Sequence, residues 1–408
     1  MADVASASVG FWVGTGSRDE KPSFRGASHF LEHLLFKGTP TRSARTIAES
    51  IDAVGGDMNA FTTKEYTAFY VRLLSRDLDL GLDVLSDIMW TPALATADLE
   101  AERLVILDEI LMHDDEPADV AADLFASALY DGHPLGWEVL GSAESITAMG
   151  ADDVRSFFEE HYRPENMVVA VAGDVDVDAV AGGIEKRFAG RSGGSAPVRV
   201  APEHPGAPLV SQARQTGQVH LVVGARGPGR HDEARWALAV LNHALGGGMS
   251  SRLFQEIRER RGLAYAIWSE RVGFEDTGYL AVAAGTAPGH ARTVLDLVEE
   301  ELDRISAEGI SEHEAEVARG HLQAETLLSL EDSGARMSRI GSSLLLHGEV
   351  LTVDEILQRV DAVDTGRVAE VAARVLGSPR TLAAVGAIEG RDDLETFVRV
   401  GQPAGRGQ

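Results

Sequence analysis

Hydrophobic and polar positions along the chain form strand-like and helix-like patterns in a defined order. An apolar run over Ser8–Val13 predicts a strand, and the β-forming residues of Asn59–Leu74 predict a strand region. A helix is predicted over Arg42–Val54, where a Gly-Gly pair ends it. Apolar residues at helical spacing predict two more helices, over Leu78–Met89 and Ala97–His113. Strands followed by runs of helices are typical of an α+β fold.

The second half of the chain repeats the landmarks of the first half. Asp19 follows the first strand-like run and Asp232 follows a similar run, 213 residues later. Gly173 and Gly386 each end a later apolar run, and they are also 213 residues apart. A constant offset over such a length indicates a duplicated module. We therefore predict two homologous α+β domains, each an antiparallel or mixed β-sheet flanked by helices.

The domain boundary is predicted at a segment rich in Gly, Ser and Pro, which neither a helix nor a central strand would tolerate. The prediction is an N-terminal domain over residues 1–190, a linker over 191–208, a homologous C-terminal domain over 209–401 and a flexible tail over 402–408.

Composition restricts the chemistry. The 408 residues include no cysteine, so that disulfides, thiolate metal sites and cysteine nucleophiles are excluded, and a metal must bind to His, Asp or Glu. A net charge of −27 repels nucleic acids and anionic lipid surfaces. Such a charge could also attract cationic peptides, although solubility alone is its preferred explanation. No apolar stretch is long enough to span a bilayer, and the N-terminus lacks the features of a signal peptide. We expect neither a nucleic-acid nor a membrane partner, and a cytoplasmic location.

The sharpest motif is His29-Phe30-Leu31-Glu32-His33. On a helix, His29 and His33 are four residues apart and share one face, with Glu32 beside them. Two imidazoles can therefore bind one metal ion while a carboxylate lies next to the bound water. The pattern H-x-x-E-H is the signature of the inverzincin peptidases, an inversion of the commoner H-E-x-x-H zinc motif.

A catalytic zinc site needs a third protein ligand and leaves the fourth position for water. The predicted helix over Ala97–His113 offers four candidate ligands, and spacing alone does not choose among them. These candidates are Glu102, Asp108, Glu109 and His113. Glu102 and Glu109 are two helical turns apart on nearly the same face, so that one could bind the metal and the other support it.

These motifs resemble the pitrilysin/insulinase superfamily of zinc metallopeptidases, in particular its processing-peptidase-like branch. The resemblance includes the stretches Gly55–Thr62 and Gly246–Leu253 and covers nearly the whole chain. The family's third ligand, a glutamate 76 residues after the second histidine, corresponds to Glu109, and Glu102 matches the family's second acidic position. The resemblance implies one zinc ion per chain on His29, His33 and Glu109, Glu32 as general base, and Glu102 orienting a ligand.

The resemblance also implies residues that hold the substrate. Asn59 and Ala60 correspond to an edge strand that takes the peptide as an added strand. On the sequence alone, a plain strand start after the Gly-Gly turn is the preferred explanation of these two residues. Arg258 and Tyr265 match an Arg/Tyr pair that holds substrate main chain near the metal and stabilises the oxyanion. The second domain has no H-x-x-E-H motif and is predicted to bind no metal. In one respect the chain departs from the family. Members carry one more strand before the run that matches Ser8–Val13, whereas this sequence starts almost at that run, so that we expect either a missing first strand or a gene start further upstream.

The predicted function is that of a zinc metalloendopeptidase, which hydrolyses peptides or unfolded segments in a closed chamber. Because one chain carries both the zinc motif and the Arg/Tyr pair, we predict a homodimer that needs no separate catalytic partner. The alternative is a non-catalytic scaffold subunit of the same fold, which the complete set of metal ligands argues against. A purely structural zinc ion would have no use for a carboxylate beside its ligands.

Overall fold

The structure is a computed structural model that describes Met1 and residues 4–388. The tail predicted at 402–408 lies outside the described residues. Within them, helices surround two β-sheets, and the prediction of an α+β fold is confirmed. None of the described helices is long and apolar enough to cross a membrane.

In the described part of the chain, the first half contains four strands and eight α-helices, and its first α-helix carries the H-x-x-E-H motif. In chain order they are β1 (Ser6–Val13), α1 (Ala27–Leu35), α2 (Ala44–Asp52), β2 (Asp57–Thr62), β3 (Thr67–Leu74), α3 (Leu78–Trp90), α4 (Thr96–Asp114), α5 (Pro117–Leu129), α6 (Ala143–Ala148), α7 (Ala151–His161), β4 (Met167–Gly173) and α8 (Val177–Phe188).

The second half repeats this order after one additional strand, and a π-helical segment, Phe254–Arg260, precedes its edge strand. Its elements are β5 (Leu209–Ala213), β6 (Val219–Gly227), α9 (Ala234–Gly246), β7 (Ala264–Gly273), β8 (Gly278–Thr286), α10 (Ala291–Glu308), α11 (Glu312–Ser329), α12 (Ser333–His347), α13 (Val353–Asp361), α14 (Thr365–Leu376) and β9 (Thr381–Gly386).

The two sheets have the same strand order. The first is β2-β3-β1-β4 with antiparallel neighbours, and the second is β7-β8-β6-β9 with β5 added parallel to β9. The mixed character of the second sheet comes from β5 alone. This repeated topology is what a duplicated module would give, and the predicted pair of homologous domains is confirmed.

The chain divides into two compact units, each assembled from separate stretches of sequence. Unit 1 comprises Met1–Met112, Trp137–Arg199 and Leu327–Leu351. Unit 2 comprises His113–Gly136, Val200–Thr326 and, among the described residues, 352–388. Helix α12 therefore belongs to unit 1 and α5 to unit 2. The domain and linker bounds read from the sequence stay a prediction.

Strand β1 is an inner strand of the first sheet and is buried on both faces. Helix α3 packs on one face, and α12 packs on β1 and β4. A strand covered on both sides reads as a continuous apolar run rather than an alternating one, as Ser8–Val13 does. Beneath α12, the Trp12 ring is buried against Gly341, where an added Cβ would lie 2.5 Å from the ring.

Candidate metal centre

Helix α1 carries the H-x-x-E-H motif and is held in place by its buried apolar side. Phe30, Leu31 and Leu34 are almost completely buried, as a core helix requires. The helix begins after Gly26, whose φ of 89° lies in the left-handed region. A Cβ there would also come within 2.7 Å of the Leu140 carbonyl oxygen, so this turn requires glycine.

The buried carboxylate of Glu20 caps the N-terminus of α1. The backbone N–H groups of Gly26 and Ser28 donate to its two oxygens at 2.7 and 2.8 Å. These groups would otherwise lack partners at the start of the helix. Burial raises the pKa of Glu20 to about 8, against the opposing effect of the two backbone hydrogen bonds. Glu20 thus fixes the turn immediately before His29.

Helix α4 carries Glu102 and Glu109, and the contacts of Arg103 fix which face of this helix is turned toward α1. The buried Arg103 guanidinium donates to the Met149 carbonyl at 2.8 Å and to the Ile146 carbonyl, beside the end of α6. It also lies 5.8 Å from the centre of the Phe30 ring on α1. With this face of α4 fixed, Glu102 and Glu109 are directed toward α1.

Three potential metal-binding atoms converge between α1 and α4. Glu109 Oε2 lies 3.8 Å from His29 Nε2 and 3.6 Å from His33 Nε2. The two imidazole rings have their centroids 4.7 Å apart and meet at 67°. Burial and the neighbouring His33 lower the pKa of His29 to about 4, so that this imidazole is neutral and able to bind a metal at pH 7.

The donor set fits a zinc ion. Zinc bonds to imidazole and carboxylate are about 2.0–2.2 Å long, which places tetrahedral ligand atoms about 3.3–3.5 Å apart, close to the separations found here. Glu109 Oε2 is buried and has no hydrogen-bond partner among the described residues. Leaving a buried carboxylate oxygen unpaired is unfavourable, and a bound cation would satisfy it.

Glu102 lies beside this group of three. Its Oε2 accepts a hydrogen bond from His33 Nδ1 at 3.0 Å, and its Oε1 forms an ion pair with Lys37 Nζ at 2.6 Å. The structure thereby distinguishes the four residues that sequence spacing left open as third metal ligand. Glu109 approaches the Nε2 atoms, Glu102 approaches the opposite side of the His33 ring, and Asp108 is exposed. His113 belongs to unit 2.

Glu32, the expected general base, is held by the last residue of strand β2. Thr62 Oγ1 donates a hydrogen bond to Glu32 Oε2 at 2.6 Å. Burial raises the pKa of Glu32, and the hydrogen bond from Thr62 opposes this shift. A raised carboxyl pKa suits a group that must both accept and release a proton near neutral pH.

Asn59 and Ala60 lie on β2, an edge strand of the first sheet. Each pairs with β3 on one side, which leaves the other edge of the strand without a neighbouring strand among the described residues. Arg258 and Tyr265 lie in unit 2, where the Arg258 guanidinium packs 4.6 Å from the Phe254 ring and 5.6 Å from the Tyr265 ring. Tyr265 is 79% exposed.

Comparison with known protein families gives matches over most of the chain. The sequence profile of the Insulinase (Peptidase family M16) family matches residues 2–143, which contain the whole group of metal-binding candidates. That of the "Peptidase M16 inactive domain" matches residues 148–322. The chain belongs to the insulinase family.

Bacterial relatives in this insulinase family are named zinc proteases. An uncharacterized zinc protease of Streptomyces coelicolor is 45% identical over 398 residues, which cover 95% of this chain and 86% of the relative. A second, from Mycobacterium tuberculosis, is 45% identical over 94% of this chain and 89% of its own length. The Bacillus subtilis protein YmxG, named in the same way, is 38% identical over 94% of this chain and 93% of its own.

Solved structures show the same fold. A protease from Helicobacter pylori superimposes with a TM-score of 0.87 at 22% identity, covering 94% of this chain and 95% of the other. A Pseudomonas fluorescens structure titled as a peptidase M16 inactive domain gives a TM-score of 0.89 at 18% identity, over 96% and 94% of the two chains. The resemblance to the insulinase superfamily and its two-domain fold is confirmed.

Two residues of this insulinase-family site were not identified from the sequence. Lys37 stands four residues after His33, in the turn that follows α1, and its ammonium group meets the carboxylate beside that histidine. Thr62 ends the Gly55–Thr62 stretch and resembles any strand residue of β-forming type. The spacing from His33 could have suggested Lys37, whereas the contact of Thr62 depends on the packing of α1 against β2.

Proposed function

We propose that the chain is a zinc-dependent endopeptidase that hydrolyses peptides or unfolded protein segments. The observation that carries the proposal is the convergence of His29 Nε2, His33 Nε2 and Glu109 Oε2, together with the carboxylate of Glu32, which interacts electrostatically with His33 and Glu109. The zinc-protease names of its relatives point to the same class of reaction. Bound to these three residues, zinc would polarise the scissile carbonyl and make a water molecule acidic near neutral pH.

In this proposal the residues of the chain have distinct roles. Glu32 takes a proton from the attacking water and delivers it to the leaving amine, while Thr62 holds its carboxylate. Glu102 holds the His33 ring with Nε2 directed to the metal. The free edge of β2, with Asn59 and Ala60, receives the extended peptide backbone through main-chain hydrogen bonds.

Further parts of the proposal rest on the family resemblance. Arg258 and Tyr265 would hold the substrate main chain, and the active form would be a homodimer that encloses its substrate in a chamber. The charge of −27 favours cationic peptides as substrates.

Cleavage of a quenched-fluorescence peptide library tests the proposal. The wild-type protein should cleave peptides, a chelator should abolish cleavage, and zinc should restore it. Glu32→Gln should lose activity by a factor of about 100 to 10,000 while binding as much zinc as the wild type. Asp108→Asn, a change at an exposed carboxylate of α4, is the matched control and should leave cleavage unchanged. A folded, zinc-loaded wild-type protein that cleaves nothing would favour the scaffold alternative.

A further inference from the structure

The hydrogen bond between Thr62 and Glu32 joins the strand at the edge of the sheet to the helix of the metal motif. Thr62 is the last residue of β2, and Glu32 lies in the middle of α1. The O···O distance of 2.6 Å is that of a hydroxyl donating to a charged carboxylate, which is stronger than a bond between neutral groups.

This contact restricts a side chain that would otherwise be poorly fixed. The terminal torsion of a glutamate is broad, so that burial alone does not set the plane of the Glu32 carboxylate. Threonine is β-branched and stiff at χ1, and Thr62 sits at the end of a paired strand, opposite Thr67. Its hydroxyl is therefore a rigid anchor for one carboxylate oxygen, Oε2, and leaves Oε1 to accept a proton.

Thr62 also lies on the strand that is suited to receive the substrate backbone. Thr62 shares β2 with Asn59 and Ala60, and the register Asn59–Tyr70, Ala60–Phe69 and Thr62–Thr67 fixes all three relative to β3. Helix α1 packs directly against β2. Strand β2 therefore has two features. Its free edge is suited to an added peptide strand, and its last residue carries the hydroxyl that holds the Glu32 carboxylate.

We propose that Thr62 is a positioning residue, which orients the Glu32 carboxylate so that the strand receiving the substrate backbone also directs the general base. This inference rests on the proposed peptidase function. Thr62 touches neither the scissile bond nor a metal-binding atom in this scheme, and it acts through Glu32. Its removal should slow the proton-transfer step without weakening the binding of zinc or of peptide.

Two substitutions at Thr62 test this role. Thr62→Val keeps the branched shape and removes the hydroxyl, and it should lower kcat about 10- to 100-fold with KM within about twofold of the wild type. Thr62→Ser keeps the hydroxyl and should retain kcat within about threefold. The zinc content of both variants should match that of the wild type. Crystal structures should show the Glu32 carboxylate displaced in Thr62→Val and retained in Thr62→Ser.

Thr63→Val is the matched control in the same hairpin. The Thr63 hydroxyl donates to the Tyr66 carbonyl, and no hydrogen bond joins it to Glu32 among the described residues. This variant should keep the wild-type kcat. Equal kcat values for Thr62→Val and the wild type would overturn the inference, as would a loss of zinc in Thr62→Val. An inactive wild-type protein would instead contradict the peptidase proposal, and the position of Glu32 in the two crystal structures would still test the anchor.

Discussion

His33 and Glu102 are joined by a hydrogen bond of 3.0 Å from Nδ1 of the imidazole to Oε2 of the carboxylate. A carboxylate can only accept, so this contact places the ring proton on Nδ1 and leaves the lone pair of Nε2 free. Nε2 is the atom that lies 3.6 Å from Glu109 Oε2. Glu102 therefore determines both the tautomer and the direction of the ring that we assign to the metal.

The first prediction concerns this orienting contact. Glu102→Ala should weaken zinc binding about 10- to 100-fold, since the His33 ring loses the partner that fixes its tautomer. Lys37→Met should have a smaller effect, because the Lys37 side chain is partly exposed and its ion pair with Glu102 is screened by solvent. Zinc dissociation constants from competition with a chromophoric chelator measure both effects.

Asp108→Asn again serves as the control, because Asp108 lies on the same helix and is exposed. Its zinc affinity should equal that of the wild type. An unchanged affinity in Glu102→Ala would show that the His33 ring is held without Glu102.

The metal motif could be predicted from sequence because its geometry is local. His29, Glu32 and His33 need only an α-helix to meet on one side, and the apolar residues between them favour that helix. The distinction between Glu102 and Glu109 is not local. Both lie on the same face of α4. Which of them reaches the metal-binding atoms depends on how α4 packs, and Arg103 fixes that packing through the carbonyl groups of Ile146 and Met149 at the end of α6.

The repeated order of strands and helices was also predictable, whereas the sheet on which each helix packs was not. The spacing of apolar residues in α12 indicates a buried face but does not name its partner. In the structure that partner is the first sheet, and α5 likewise packs on strands of the second sheet. Contacts between residues far apart in sequence, such as Trp12 with Gly341, decide these positions.

The second prediction concerns metal removal. If His29, His33 and Glu109 bind zinc only in the folded state, zinc at 100 times its dissociation constant should raise the free energy of unfolding by about 2.7 kcal/mol. Differential scanning calorimetry with and without zinc should show the higher Tm. His29→Ala should lose this response, and His204→Ala, a change at an exposed histidine, should keep it. A zinc-dependent shift that persists in His29→Ala would place the ion elsewhere.

The third prediction tests the packing of α12 on strand β1. Gly341→Ala should lower the free energy of unfolding by about 1–3 kcal/mol, because the new methyl group would overlap the Trp12 ring. Gly320→Ala is the matched change on α11, where nothing lies within 4 Å of the added Cβ, and it should stabilise the protein by up to about 1 kcal/mol. Urea unfolding measures both, and effects of the same sign would show that the overlap with Trp12 is not decisive.

The fourth prediction concerns acid stability in unit 2. Hydrogen bonds from Arg252 lower the pKa of Glu314 to about 2, with Ser311 contributing in the same direction. The Arg252 guanidinium reaches both carboxylate oxygens, at 2.6 and 2.8 Å. In the unfolded chain Glu314 takes up a proton near its ordinary pKa of 4.5. The stabilisation is therefore fully present above about pH 4.5 and is lost as the pH falls toward 2.

Glu314→Gln should consequently lower the free energy of unfolding at pH 7 by about 1–3 kcal/mol, with a difference from the wild type that shrinks between pH 4.5 and pH 2. Urea unfolding at a series of pH values measures the difference. Glu49→Gln removes one member of the exposed Arg45–Glu49 pair and should have almost no effect at any of these pH values, because solvent screens that pair. A Glu314→Gln difference that stays constant from pH 7 to pH 3 would mean that the carboxylate stabilises the fold by packing rather than by its charge.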